Sequence, residues 1–364
     1  MIKPKIVLPN YNECLVNVSS SILKRFNVKD EHNSLKEVDE IINNYKKIVF
    51  ILFDGMGTYI LDEHLNQDSF LQKHKKRDIT SVFPPTTASA TTSFLTCKNP
   101  NENLWLGWHM YFKDIDDDLI LFYNSGYYNV DKKYENYTNN HLPNIDILER
   151  IKQNGYKTKR INSFDNLMDL NDFEKEILDF LNDDSEGFMY AYHTEPDHLM
   201  HLNGTKHNIV HNTILNIEKM VKDLANKIDE DTLIIVSADH GHIDCNLIDL
   251  YLDEDIKNNL KVKPFGDSRM LMFNPINNDK FYQDFRHKYG GAFDLYTKEE
   301  IIENKLFGDK ENNPKFYDLL GDYIAIGKSN YFMDYCINNT NDMKSVHSGY
   351  SINEMIIPLI LINK

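Results

Sequence analysis

Short apolar runs that recur along the whole chain constrain its fold more than any other feature. They cover Ile48–Phe53, Ile79–Phe83, Phe188–Tyr192, Leu233–Ser237, Tyr323–Ile326 and Ile356–Ile362. A strand with one wet face alternates apolar and polar residues, whereas a continuous apolar run implies burial on both faces. Between the runs lie helical patterns. The clearest is Val210, Ile214, Ile217, Val221, Leu224 and Ile228, whose spacing of four and three makes one apolar stripe. Strands alternating with such helices predict an α/β fold, with a mostly parallel central sheet sandwiched by helices.

With 364 residues, 41% of them hydrophobic, the chain can bury a large core, and its length suits roughly two domains or one large α/β domain with insertions; we expect the latter, a single catalytic domain over 1–364. The rhythm breaks from about 247 to 316, where Pro264, Pro275 and Gly290-Gly291 fall in sequence of mixed polarity. This stretch is expected to form a small inserted cap. A second insertion is expected from Leu104 to Asn140, opening with the aromatic string Trp105 to Phe112.

A formal charge of −16 argues against nucleic-acid polymers and anionic membrane surfaces as partners. Anionic substrates would then need local cations. Cys14, Cys97, Cys245 and Cys336 form no C-x-x-C pair, so neither a disulfide framework nor a thiolate metal cluster is indicated. Reduced thiols, and an N-terminal stretch without the apolar core of a signal peptide, lead us to expect a cytoplasmic protein.

In open α/β sheets, ligands bind beyond the carboxyl ends of the strands. Asp54 follows the first run, Thr86 and Thr87 follow Phe83-Pro84-Pro85, Asp197 and His201 follow the Phe188 run, Asp239 and His240 follow the Leu233 run, and His347 precedes the last. Carboxylate beside imidazole suits a zinc-like divalent cation. Alone, each has a plainer role: Asp54 would cap a helix starting near Thr58, and either threonine is an ordinary N-cap residue. Together they make one metal site at the strand ends, next to hydroxyls at a helix N-terminus that favours anions.

The set F-D-G-M-G, F-P-P-T-T, E-P-D-H-L-M-H, S-A-D-H-G-H and V-H-S-G-Y resembles the alkaline phosphatase superfamily, in particular its type I phosphodiesterase and nucleotide pyrophosphatase branch. The resemblance implies an alkaline phosphatase-like sheet and two divalent metal ions, zinc or alternatively manganese. It makes Thr87 the nucleophile, three residues after the first proline of an F-P-x-x-T string. One ion takes Asp54, Thr87, Asp239 and His240, and the other takes Asp197, His201 and His347. The substrate is then a small phosphodiester or nucleotide pyrophosphate, cleaved through a phosphothreonine.

Two departures bear on substrate. Ala90 stands where many relatives carry a phosphate-contacting Asn, and no Arg is expected near Thr87 to favour a dianionic monoester, which points to diesters or pyrophosphates. Trp108, His109 and Tyr111 are expected to line a leaving-group pocket, and His193, His198 and His242, next to the ligands, to orient them. The alternatives are a phosphomonoesterase, phosphonate hydrolase or phosphomutase on the same fold, or a metal-stabilised binding protein without activity. A sulfatase is disfavoured, because the chain has no C-x-P-x-R or S-x-P-x-R string.

Overall fold

The structure, a computed structural model, describes residues 4–163, 168–337 and 342–364. Four of the apolar runs become strands of a six-stranded central sheet: β1 (Lys47–Phe53), β2 (Lys75–Thr80), β3 (Lys157–Asn162), β4 (Gly187–His193), β5 (Thr232–Ser237) and β6 (Ile356–Ile362). Their order is β2-β6-β5-β1-β4-β3. The pairings β1 with β4, β1 with β5 and β3 with β4 are parallel, and β6 alone runs opposite to its neighbours. Every residue of β1, β4 and β5 is buried, as continuous apolar runs require.

Helices cover both faces. Phe50 of β1 stacks on Phe94 of the Thr87–Thr96 helix at 4.0 Å, while Phe53, an odd number of residues on, meets Phe173 of the Leu170–Leu181 helix at 6.2 Å. Side chains alternate across a strand, so these two helices lie on opposite faces. The stripe from Val210 to Leu224 is buried in a helix over Asn208–Lys227, with Ile228 as its C-cap.

Two expectations change. The strand foreseen at Ile79–Phe83 instead spans Lys75–Thr80, because Pro84 and Pro85 offer no N–H and the chain leaves the ladder before reaching them. The run at Tyr323–Ile326 is a strand, but it belongs to a second, seven-stranded sheet in which every pairing is antiparallel. An apolar run reports burial and not the direction of its partner.

That second sheet joins the two insertions. Its order is Phe293–Thr297, Tyr323–Gly327, Met270–Phe273, Phe265–Asp267, His109–Phe112, Asp117–Ile120 and Ser125–Gly126. The aromatic string contributes its end as the His109–Phe112 strand, which touches Gly266 through His109. Among the described residues no helix is long and apolar enough to cross a membrane.

Candidate active site

The carboxyl ends of β1, β4 and β5 lie side by side, so the residues following them converge. The backbone N–H of Asp54 donates to the carbonyl of His193 at 3.0 Å, and that of Gly55 donates to Asp239 Oδ1 at 3.0 Å. Gly55 has φ +69°, and a Cβ at Gly57 would stand 2.6 Å from the Cα of Gly241. The two turns therefore pack backbone against backbone, and only glycine allows it. Asp54 does not cap the following helix, whose N-cap is Gly57.

The threonines separate by direction. Thr86, the N-cap residue of the Thr87–Thr96 helix, donates its hydroxyl to Asp267 of the second sheet at 2.6 Å. Thr87 turns inward: its Oγ1 lies 3.4 Å from each carboxylate oxygen of Asp54 and 3.2 Å from His240 Nε2. The hydroxyl of Tyr192 donates to Asp54 Oδ2.

At these strand ends two groups of potential ligands form among the described residues, each with its donor atoms within 4.8 Å of one another. One is Asp54, Asp239 and His240, beside Thr87. The other is Asp197, His201, His242 and His347. His201 Nε2 lies 3.4 Å from Asp197 Oδ2, and His347 Nε2 lies 3.8 Å from Asp197 Oδ1. The rings of His240 and His347 stack at 3.8 Å and join the groups into one centre.

Tautomers follow from the second nitrogen of each ring. His201 Nδ1 donates to the carbonyl of Ser345 at 2.8 Å, His240 Nδ1 to that of Gly241 at 3.1 Å, and His347 Nδ1 to that of Pro85 at 3.2 Å. A carbonyl only accepts, so Nδ1 of each ring carries a hydrogen and Nε2 faces into the centre. That is the arrangement a cation needs.

Charge points the same way. Burial, followed by the nearby carboxylates of Asp239 and Asp197, raises the Asp54 carboxyl far above its usual range, and burial pushes Asp239 up to about 7. Asp197 is also buried, but His201 and His242 outweigh this and hold its carboxyl well below the usual range. Burial keeps His240 and His347 neutral, lowering both. Asp239 Oδ2 is buried without a hydrogen-bond partner. Crowded carboxylates, neutral imidazoles and an orphaned carboxylate oxygen fit divalent cations.

The structure thus brings together Asp54, Thr87, Asp197, His201, Asp239, His240 and His347. A cavity of about 280 Å³ opens onto Asp54, Thr87, Asp197 and His347, and Trp108 and His109 line it. Tyr111 lines a different hollow and donates its hydroxyl to Asp116 at 2.6 Å. Of the three histidines expected to orient ligands, only His242 touches one with its side chain, through Nε2 to Asp197 Oδ1. His193 donates to the Met168 carbonyl and packs on Phe53 and Phe173. His198 is largely exposed beside Glu195.

Sequence reasoning missed Arg160, Asp267 and Tyr192. Arg160 lines a second cavity that also contains Thr87, which corrects the expectation of no arginine near the nucleophile. It arrives on β3, whose neighbour β4 leads to Asp197, and nothing local in sequence announces that adjacency. The S-A-D-H-G-H string did display His242.

No curated protein sequence is a match to the chain. Murine ectonucleotide pyrophosphatase/phosphodiesterase 5 shares the fold with a TM-score of 0.68 at 17% identity, covering 87% of this chain and 88% of that one. The human counterpart gives 0.65 at 15% identity, covering 87% and 88%. A phosphonoacetate hydrolase from Sinorhizobium meliloti 1021, solved with phosphonoacetate, gives 0.64 at 13% identity, covering 86% and 89%. The sequence profile described as type I phosphodiesterase / nucleotide pyrophosphatase matches residues 48–351, a span that holds both ligand groups and Thr87. The chain therefore belongs to the type I phosphodiesterase/nucleotide pyrophosphatase family of the alkaline phosphatase superfamily.

Proposed function

We propose that this protein hydrolyses small phosphodiesters or nucleotide pyrophosphates by double displacement at Thr87, with two divalent cations, zinc by their donor set. The observation that carries this reading is the position of Thr87 Oγ1, between the Asp54 carboxylate and His240 at the first turn of a helix. Asp54, Asp239, His240 and Thr87 would hold one cation, and Asp197, His201 and His347 the other. When bound, such ions lower the pKa of a coordinated oxygen and neutralise charge on the phosphoryl group.

The residues of the chain do the rest. Thr87 Oγ1 gives up its proton to solvent water and forms a bond to phosphorus, while the bond to the leaving oxygen breaks and that oxygen departs with the electron pair. Backbone N–H groups at the start of the Thr87–Thr96 helix receive the phosphoryl oxygens. Water then attacks phosphorus, the bond to Oγ1 breaks, and Thr87 recovers a proton. Asp54, held by Tyr192, and His240, held by Gly241, fix the position from which Thr87 attacks.

Turnover of bis(p-nitrophenyl) phosphate, measured with metal content in the same preparation, tests the reading. Thr87→Ala should remove turnover by at least about 1000-fold with metal and fold retained. Retained turnover would exclude Thr87 as the nucleophile, and no turnover by the unaltered protein would exclude diesterase chemistry.

A further inference from the structure

Two cavities share Thr87. One borders Asp197, His201 and His347. The other, also about 280 Å³, runs from Thr87 and Thr91 to Arg160, with Phe122 and Tyr123 from the second insertion on its wall. Arg160 is the only charged side chain lining this second cavity among the described residues. It stands two residues from Asn162 on β3, so both point to the same face, and both line the cavity.

In-line displacement puts nucleophile and leaving group on opposite sides of phosphorus. A leaving group that departs beside Asp197, His201 and His347 enters the first cavity. The substituent that stays on phosphorus is then left with the second. There it meets aromatic rings for its body and one guanidinium for its end. The guanidinium Cζ lies 5.9 Å from the Tyr190 ring centroid, and Nη2 bonds Asp146 Oδ2, so the group is held at the wall. A planar fork of N–H donors matches the oxygens of a carboxylate or phosphate. In a chain of net charge −16, a cation on the wall of a cavity that reaches Thr87 would draw an anionic group there.

We infer that Arg160 selects substrates whose retained substituent carries a second anionic group, so that the enzyme prefers a doubly anionic diester to a singly anionic one. The inference rests on the diesterase reading above.

Three p-nitrophenyl diesters that differ only in the retained group test it: ethyl, 2-carboxyethyl and 2-phosphonooxyethyl. All release the same chromophore. The unaltered protein should prefer the two anionic esters in kcat/KM, and the larger preference identifies carboxylate or phosphate as the natural partner. Arg160→Gln should lower kcat/KM on the anionic esters by at least about 10-fold and on the ethyl ester by less than about 2-fold. Asp146→Asn removes the competing carboxylate while leaving an N-cap residue for Leu148, whose N–H the Asp146 side chain accepts at 2.7 Å, and should widen the preference. Calorimetric binding of 2-carboxyethyl phosphate against ethyl phosphate should show the same split without turnover.

Equal rates on all three esters, or an equal loss on all three in Arg160→Gln, would overturn the role of Arg160 and leave the diesterase reading standing. Failure of the unaltered protein to cleave any of them would overturn both. Should Arg160→Gln not fold, an unchanged preference in Asp146→Asn overturns the inference.

Discussion

Arg269 and Glu354 form a fully buried, two-pronged ion pair, with Nε to Oε1 at 2.7 Å and Nη2 to Oε2 at 2.9 Å. Arg269 comes from the turn before the Met270–Phe273 strand of the second sheet, and Glu354 from the segment entering β6. Nη1 also donates to the carbonyls of Ser329 and Tyr331, and the Arg269 backbone N–H donates to Ser348 Oγ at 3.0 Å, next to His347. Glycine is needed around it, since a Cβ at Gly349 or Gly327 would stand 2.9 Å from the guanidinium. The pair therefore fastens the second sheet to the loop that delivers a ligand.

Removing one partner strands a buried charge, which costs roughly 3–5 kcal/mol. Glu354→Gln should lower the free energy of unfolding in urea by that order. A change below about 1 kcal/mol would mean that water reaches the site and solvates the orphaned guanidinium.

Thr86 and Thr87 differ in what they hold, and the difference is measurable. Thr86→Val removes a bond to Asp267 that joins the nucleophile helix to the second sheet, so it should reduce stability by about 1 kcal/mol and keep most turnover. Thr87→Ala should do the reverse. A swap of these outcomes in thermal melts and initial rates would reassign the nucleophile.

How far the site was legible in sequence depended on where its residues lie. Asp54, Asp239 and the Asp197/His201 pair each follow a continuous apolar run, so the strand itself marked them, whereas the choice of Thr87 over Thr86 came from the resemblance to the family's F-P-x-x-T string. The structure adds the direction of each hydroxyl. The second sheet was not legible, because Tyr323–Ile326 looks like the parallel strands and its partners lie in insertions whose apolar residues follow no single period. Arg160 was out of reach for a related reason: its distance in sequence from Thr87 hides a meeting that only the order of β3, β4 and β1 creates.

His242 presents a different test. Ser345 Oγ donates its one hydrogen to the Met200 carbonyl at 2.7 Å, so at 3.0 Å it must accept from His242 Nδ1. Burial lowers the pKa of His242 and favours its neutral form, whose remaining lone pair on Nε2 faces Asp197 Oδ1. Two acceptors face each other unless a cation or proton lies between them. We expect His242→Gln to weaken metal binding about 10–100-fold, read by titration against a chromophoric chelator. Unaltered affinity would confine His242 to a packing role.

Away from the centre, His32 gives the protein a pH-dependent clasp. Its Nδ1 meets Asp30 Oδ1 at 2.9 Å and its Nε2 meets Glu102 Oε2 at 2.8 Å, while Arg150 also holds Asp30 at 2.9 Å and Lys98 holds Glu102 at 3.1 Å. Burial opposes the charge on His32, but the two carboxylates outweigh it and raise the pKa. Asp30 and Glu102 are lowered: burial opposes them too, and their bonds to His32 prevail. A raised histidine contributes stability that is complete below its unfolded pKa of about 6.5 and is lost as pH rises through its folded value. Lowered carboxylates contribute above about 4 and lose it as pH falls. The clasp should therefore hold best between about pH 4.5 and 6.5. Urea unfolding of His32→Gln beside the unaltered protein should show the widest gap in that window and a narrowing gap towards pH 9, and a gap independent of pH would mean that His32 acts there as a neutral hydrogen-bonding residue.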